Sequence, residues 1–170
     1  ITIRTAIGQG NSAFTPVQVA KYISALANRE NVYDLSIVSA IQNSKGDNKI
    51  IEKEPVISNK LDISKSTLDV IHDGMLRVIT GSEGTARTVY NDFPIQVGAK
   101  TGTAQDGSKH EHSWFVGFAP YDNPQVAIVT TIYNSDGAGR YGITMSKEIL
   151  EAYFGLEQEY EKTTLENIFN

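Results

Sequence analysis

The chain has 170 residues, 40% of them hydrophobic and 21% charged, with a net charge of −5 and no cysteine. That length supports one domain with a sizeable core. The acidic balance, without any Lys/Arg cluster, argues against nucleic acid as the main partner, and the lack of cysteine excludes disulfides and thiol chemistry while leaving the compartment open. No apolar run reaches the length of a membrane span and the N-terminus is not a signal peptide. The chain starts Ile1-Thr2-Ile3-Arg4, without Met, as a piece or a processed product of a longer protein would.

In chain order, Ala6 to Ser12 holds Gly8 and Gly10 and reads as a Gly-rich loop. Its spacing fits neither a P-loop nor a dinucleotide fingerprint. Thr15-Pro16-Val17-Gln18 is a helix start: Thr15 caps, Pro16 takes the first helical position, and Gln18 completes a capping box. Val19, Ala20, Ile23, Leu26 and Ala27 recur at helical spacing up to about Asn28. Leu35 to Gln42 reads as a strand, Asn43 to Asn48 as a turn, and Lys49 to Ile57 as the returning strand of a surface hairpin. Glu52, Lys53, Glu54 and Pro55 mark that strand as an exposed edge.

Ser64 or Ser66 opens a second helix whose apolar face is Leu68, Ile71, Met75, Leu76 and Ile79, with Gly81 as its stop. His72 lies near that face and reads as a packed or surface residue, not a functional one. Gly84-Thr85-Ala86 starts a short helix through Tyr90, and Asp92-Phe93-Pro94 breaks the chain. Three strands follow: Ile95 to Gln105, His112 to Ala119, and Gln125 to Tyr133, the last with the unbroken apolar character of a central strand. Asp106 to Lys109 is the first turn, and the connections are short enough for antiparallel hairpins. After a Gly-rich loop, Asn134 to Tyr141, a closing helix carries Ile143, Met145, Ile149, Leu150, Tyr153 and Phe154 and stops at Gly155. Residues 1–155 form the folded portion. Residues 156–170 form an acidic tail with Leu165 and Phe169 as weak anchors. The order of elements predicts an α+β fold, a largely antiparallel sheet packed by helices.

The chemistry concentrates in Lys100-Thr101-Gly102-Thr103. Lysine supplies a fixed cation, and the two threonine hydroxyls supply donors for an anionic group. Glycine lets a ligand approach the backbone closely. A tripeptide by itself is a weak signal. Its surroundings sharpen it: Ile7-Gly8-Gln9-Gly10, Thr15-Pro16-x-Gln18, Gly74-Met75 and Gly84-Thr85-Ala86 precede it, and His112-Ser113-Trp114-Phe115-Val116-Gly117-Phe118-Ala119-Pro120 follows. This ordered series resembles the C-terminal part of the transpeptidase domain of class B (monofunctional) penicillin-binding proteins, over roughly residues 5 to 154.

The resemblance implies a partial penicillin-binding/β-lactamase-like fold and a peptidoglycan D,D-transpeptidase as the parent protein. Its partners are stem peptides and β-lactams, it needs no cofactor, and an upstream helix anchors it in the bacterial cytoplasmic membrane with this domain outside. It implies that Lys100 faces the catalytic serines, that Thr101 and Thr103 bind the substrate carboxylate, that Gly102 leaves room, and that the Thr103 backbone N–H is an oxyanion donor. The family's Ser-x-x-Lys nucleophile motif and its Ser-x-Asn motif are both absent here; Ser58-Asn59 and Ser64-Lys65 have the wrong spacing. In the family these motifs lie before the Gly-Gln-Gly run. The expectation is therefore a truncated transpeptidase domain, inactive alone because it has no activated nucleophile. Two upstream strands of the family's sheet would also be missing. The strand Gln125 to Tyr133 is then left with an open edge that invites the upstream half, a homodimer or a rearranged segment. A non-catalytic β-lactam sensor and an interaction module of the same fold are the alternative functions. A zinc site at His110-Glu111-His112 lacks a third ligand, and these histidines read as surface residues.

Overall fold

A computed structural model describes residues 13–46, 49–105, 110–135 and 139–156 of the chain. The Gly-rich loop at 6–12, the turn at 106–109, the middle of the second Gly-rich loop at 136–138 and the acidic tail from 157 on, with Leu165 and Phe169, lie outside the described residues.

Helix α1 (Pro16–Asn28) starts as its sequence dictates. The Thr15 hydroxyl accepts from the Gln18 N–H at 3.3 Å, and the Gln18 side-chain oxygen accepts from the Thr15 N–H at 2.8 Å. Together they satisfy donors that a helix start otherwise leaves unpaired. Four short strands follow: β1 (Asn31–Tyr33), β2 (Ala40–Gln42), β3 (Lys49–Glu52) and β4 (Ile57–Lys60). They form two separate two-stranded ladders, β2 with β3 nested inside β1 with β4. The expected hairpin is thus real but differently divided. Leu35 to Val38 is not strand, and Lys49 to Ile57 is not one strand but two, interrupted around Pro55, which has no N–H to give a ladder.

Helix α2 (Lys65–Thr80) is capped by Ser64, whose hydroxyl accepts from the Thr67 N–H at 3.2 Å, and it ends at Gly81. The short α3 (Arg87–Tyr90) leads to the main sheet, β5 (Gly98–Gln105), β6 (Glu111–Ala119) and β7 (Val126–Ile132), antiparallel and in that order. β5 begins at Gly98 instead of Ile95, because Pro94 and the turn before it occupy the start of the expected segment. The closing α4 (Arg140–Phe154) begins slightly earlier than its apolar pattern suggests and stops at Gly155, whose φ of 67° lies in the left-handed region that glycine enters at least cost.

Alternation along the strands splits the interior into two cores. On one face Phe118 packs with Ile23, Leu26 and Ala27 of α1 and with Leu68 and Met75 of α2. On the other, Val97, Ala99, Phe115, Ala119 and Ile128 pack with Ala86, Tyr90, Ile143 and Leu150. The sheet is therefore covered on both sides by helices, an α+β arrangement. Tyr90 stacks on Phe115 at 5.6 Å, and its hydroxyl meets that of Ser146 at 3.0 Å, so its polar end is satisfied where it is buried. His72 is buried as well, with Nε2 2.8 Å from the Leu26 carbonyl oxygen and its ring 5.0 Å from that of Phe118. It joins α2 to α1, which is a packing role.

Candidate active site

β5 is an outer strand, and among the described residues no other strand pairs with its far side. Register decides which groups reach that open edge. The Glu111 and Ala119 carbonyls of β6 accept from Ser135 and Gln125, on the β7 side. Backbone groups of alternate residues point to opposite neighbours. Odd-numbered residues of β6 thus bond toward β7, and even-numbered ones toward β5. Across β5 and β6, Lys100 pairs with Val116 and Gly102 with Trp114. Those pairs exchange the ladder bonds. Thr101 and Thr103, opposite Phe115 and Ser113, must then direct their N–H and C=O groups outward. The Gln96 carbonyl, which accepts from the Tyr121 N–H at 2.8 Å, keeps the same parity.

The side chains of Thr101 and Thr103 share one face of β5, and that of Lys100 lies on the other. Lys100 and Thr103 are exposed and Thr101 is half-buried. The Lys100 ammonium bends over the edge to hydrogen-bond the Thr101 carbonyl, one of the outward-directed groups. The Thr101 hydroxyl lies 2.7 Å from that of Thr85.

Glycines separate what the fold requires from what it leaves open. A Cβ on Gly98 would meet the Phe118 ring at 2.6 Å, and one on Gly117 would meet the Gly98 carbonyl oxygen at 2.7 Å. Packing alone forbids a side chain at both. On Gly102 a Cβ would only touch the Trp114 Cβ at 3.4 Å, an ordinary contact. Nothing among the described residues demands a glycine there.

The four residues singled out from sequence thus come together on one edge: a cation, two hydroxyls on one face, an outward backbone N–H and an uncovered glycine. Sequence reasoning missed Thr85, which the chain brings to Thr101 from sixteen residues upstream. It also misplaced His112. That residue is buried, its Nδ1 accepting from the Asn134 N–H at 3.1 Å and its ring 4.8 Å from that of Tyr133, while His110 is exposed. The pairing of β6 with β7 brings Tyr133 and Asn134 over it. Among the described residues no group of three His, Cys, Asp or Glu side chains stands close enough to hold a metal ion, and no helix is long and apolar enough to cross a membrane.

A family model for the penicillin binding protein transpeptidase domain matches residues 2–155. The chain belongs to that family. Its relatives place it in the class B branch of the penicillin-binding proteins. It is 28% identical over 170 residues to the peptidoglycan D,D-transpeptidase MrdA of Haemophilus influenzae, covering 89% of this chain and 25% of the relative. It is 32% identical over 162 residues to penicillin-binding protein 2B of Streptococcus pneumoniae, covering 89% and 24%. The structure of Pseudomonas aeruginosa PBP2 in complex with WCK 5153 superposes with a TM-score of 0.74 at 28% identity, over 99% of this chain and 36% of that one. The penicillin-binding protein chain described here thus spans about a quarter of the length of the curated relatives it matches.

Proposed function

We propose that this chain forms the substrate-binding wall of a peptidoglycan D,D-transpeptidase whose nucleophilic serine and its base lie outside these residues. The open edge of β5 carries the reading, because a carboxylate, an oxyanion and a cation-dependent nucleophile all find a partner on that one edge. The Thr101 and Thr103 hydroxyls hold the terminal carboxylate of a D-Ala-D-Ala stem peptide, or of the β-lactam that mimics it. The outward Thr103 N–H donates to the oxygen of the scissile carbonyl, where negative charge develops as the serine oxygen attacks the carbon. Collapse of the tetrahedral adduct breaks the C–N bond and releases D-Ala. An amine of a neighbouring strand then takes the acyl group. Lys100, freed from the Thr101 carbonyl, supplies positive charge beside the nucleophile. Gly102 keeps the edge bare, which accounts for a glycine that packing does not require. In the parent protein this domain works outside an anchoring membrane helix.

Other surfaces fit a missing half. Among the described residues β7 is the second outer strand, and beside it α4 exposes Tyr141, Met145, Ile149 and Tyr153 at four-residue spacing. Such a stripe and edge suit the remainder of the transpeptidase domain. The chain produced alone is expected to self-associate in sedimentation, and a stable monomer would count against this part of the reading.

The catalytic part is tested with a fluorescent penicillin. The chain alone should not be labelled, whereas the intact protein that carries it should be. In the intact protein Lys100→Ala and Thr103→Val should each slow acylation by roughly tenfold or more, the scale of a hydrogen bond to a charged group. Unchanged rates in both variants would remove these residues from the site.

A further inference from the structure

The loop between α2 and α3 meets β5 at the 2.7 Å contact of the Thr85 and Thr101 hydroxyls. Both neighbours of Thr85 are held hard. A Cβ on Gly84 would come within 2.5 Å of the Val78 carbonyl oxygen and 2.8 Å of that of Arg77. The Gly84 N–H donates to Gly81 at 3.0 Å, and its carbonyl accepts from Arg87 at 3.1 Å. Ala86 is fully buried and donates its N–H to the Val78 carbonyl at 3.1 Å. Thr85 therefore rides on a segment with little room to shift.

We propose that Thr85 is a positioning residue for substrate: its O–H donates to the Thr101 oxygen and so directs the Thr101 proton onto the substrate carboxylate. The proposal rests on reading β5 as the carboxylate-binding wall. A hydroxyl has one proton to give and lone pairs to accept with. Of two hydroxyls in contact, only one donates to the other. An anion on Thr101 requires the Thr101 proton, so the chain that satisfies all three groups runs from Thr85 to Thr101 to carboxylate. Each bond in such a chain polarises the next. Because the loop is rigid, the Thr101 rotamer is set before substrate arrives, which removes an ordering cost from binding.

The test is acylation efficiency of the intact protein toward benzylpenicillin and toward its methyl ester, which lacks the anion. Thr85→Val should lower efficiency toward benzylpenicillin about five- to tenfold and leave the ester nearly unchanged. Thr85→Ser should restore the native value, and Thr85→Val should cost nothing further once Thr101→Val is present. A native efficiency in Thr85→Val, an equal loss on acid and ester, or a Thr85→Ser variant as poor as Thr85→Val would each overturn the role. If Thr101→Val itself acylates normally with benzylpenicillin, the carboxylate reading of β5 fails and this proposal with it. If Thr101→Val is impaired while Thr85→Val is not, only the role of Thr85 is lost.

Discussion

Gly98 opens the site strand, and replacing it by alanine puts the seat of β5 under direct strain. The new Cβ would lie 2.6 Å from Phe118 Cζ and 2.9 Å from Cε1, so the ring must retreat by roughly 0.8 Å to reach ordinary contact. It has nowhere to go. Phe118 is fully buried, with the His72 ring at 5.0 Å and that of Tyr121 at 6.1 Å. Forcing extra volume into such a core costs ~1–3 kcal/mol. Against this stands the gain of about 0.4–1 kcal/mol that an alanine brings by restricting the unfolded chain. The net expectation is a loss of about 1–2 kcal/mol. Urea unfolding of the chain, followed by the fluorescence of Trp114 on β6, reads it as a lower midpoint at unchanged slope. Phe118→Leu leaves room at that point but costs stability by itself, so Gly98→Ala should cost less in a Phe118→Leu background than in the native chain. A neutral or stabilising Gly98→Ala, or an equal cost in both backgrounds, would refute the packing argument.

Other expectations follow from the same geometry. Gly74 lies mid-way along α2 on an exposed face, where a Cβ meets nothing within 4 Å; Gly74→Ala should raise stability by about 0.8–1 kcal/mol in the same titration. Burial pushes the Tyr90 phenol above its ordinary 10.0, despite its hydrogen bond with Ser146. Above that pH the unfolded chain loses the proton while the folded one keeps it, so native stability should fall as pH rises past 10.0. Tyr90→Phe should flatten this alkaline limb; an equally steep limb in the variant would contradict the assignment. Asp92, held below the usual carboxylate range chiefly by its hydrogen bond from Lys147, ties the turn before β5 to α4. That tie should weaken as pH falls below 3.8, and an Asp92→Asn variant with the same acid sensitivity as the native chain would show that it contributes nothing there.

Where chemistry is local, the sequence was legible. Thr15 and Gln18 announce their capping box within four residues, Ser64 and Gly81 bracket α2, and the run from His112 to Ala119 forms β6 as expected. Pro55 splits the outer hairpin strand because one missing N–H outweighs a favourable run of residues. The pairing of Asn31–Tyr33 with Ile57–Lys60 was hidden, since three-residue strands carry no period and their partners are set by distant register. His112 looked exposed beside a turn until β7 brought Tyr133 and Asn134 over it. At the site, Lys100 to Thr103 stood out by residue type and order. The direction of their backbone groups did not, because parity across β5, β6 and β7 fixes it. Thr85 was visible as a helix start and as one landmark in the ordered series; its bond to Thr101 belongs to the packing of the loop after α2 against β5.

The central claim is that this chain binds and polarises the acyl group while another part of the protein attacks it. Peptide mapping by mass spectrometry of the intact protein after benzylpenicillin treatment tests it most directly. The account predicts a single penicilloyl adduct on a serine outside these 170 residues, formed more slowly when Lys100 is alanine. An adduct on any serine of this chain, or an intact protein that forms no adduct at all, would contradict it.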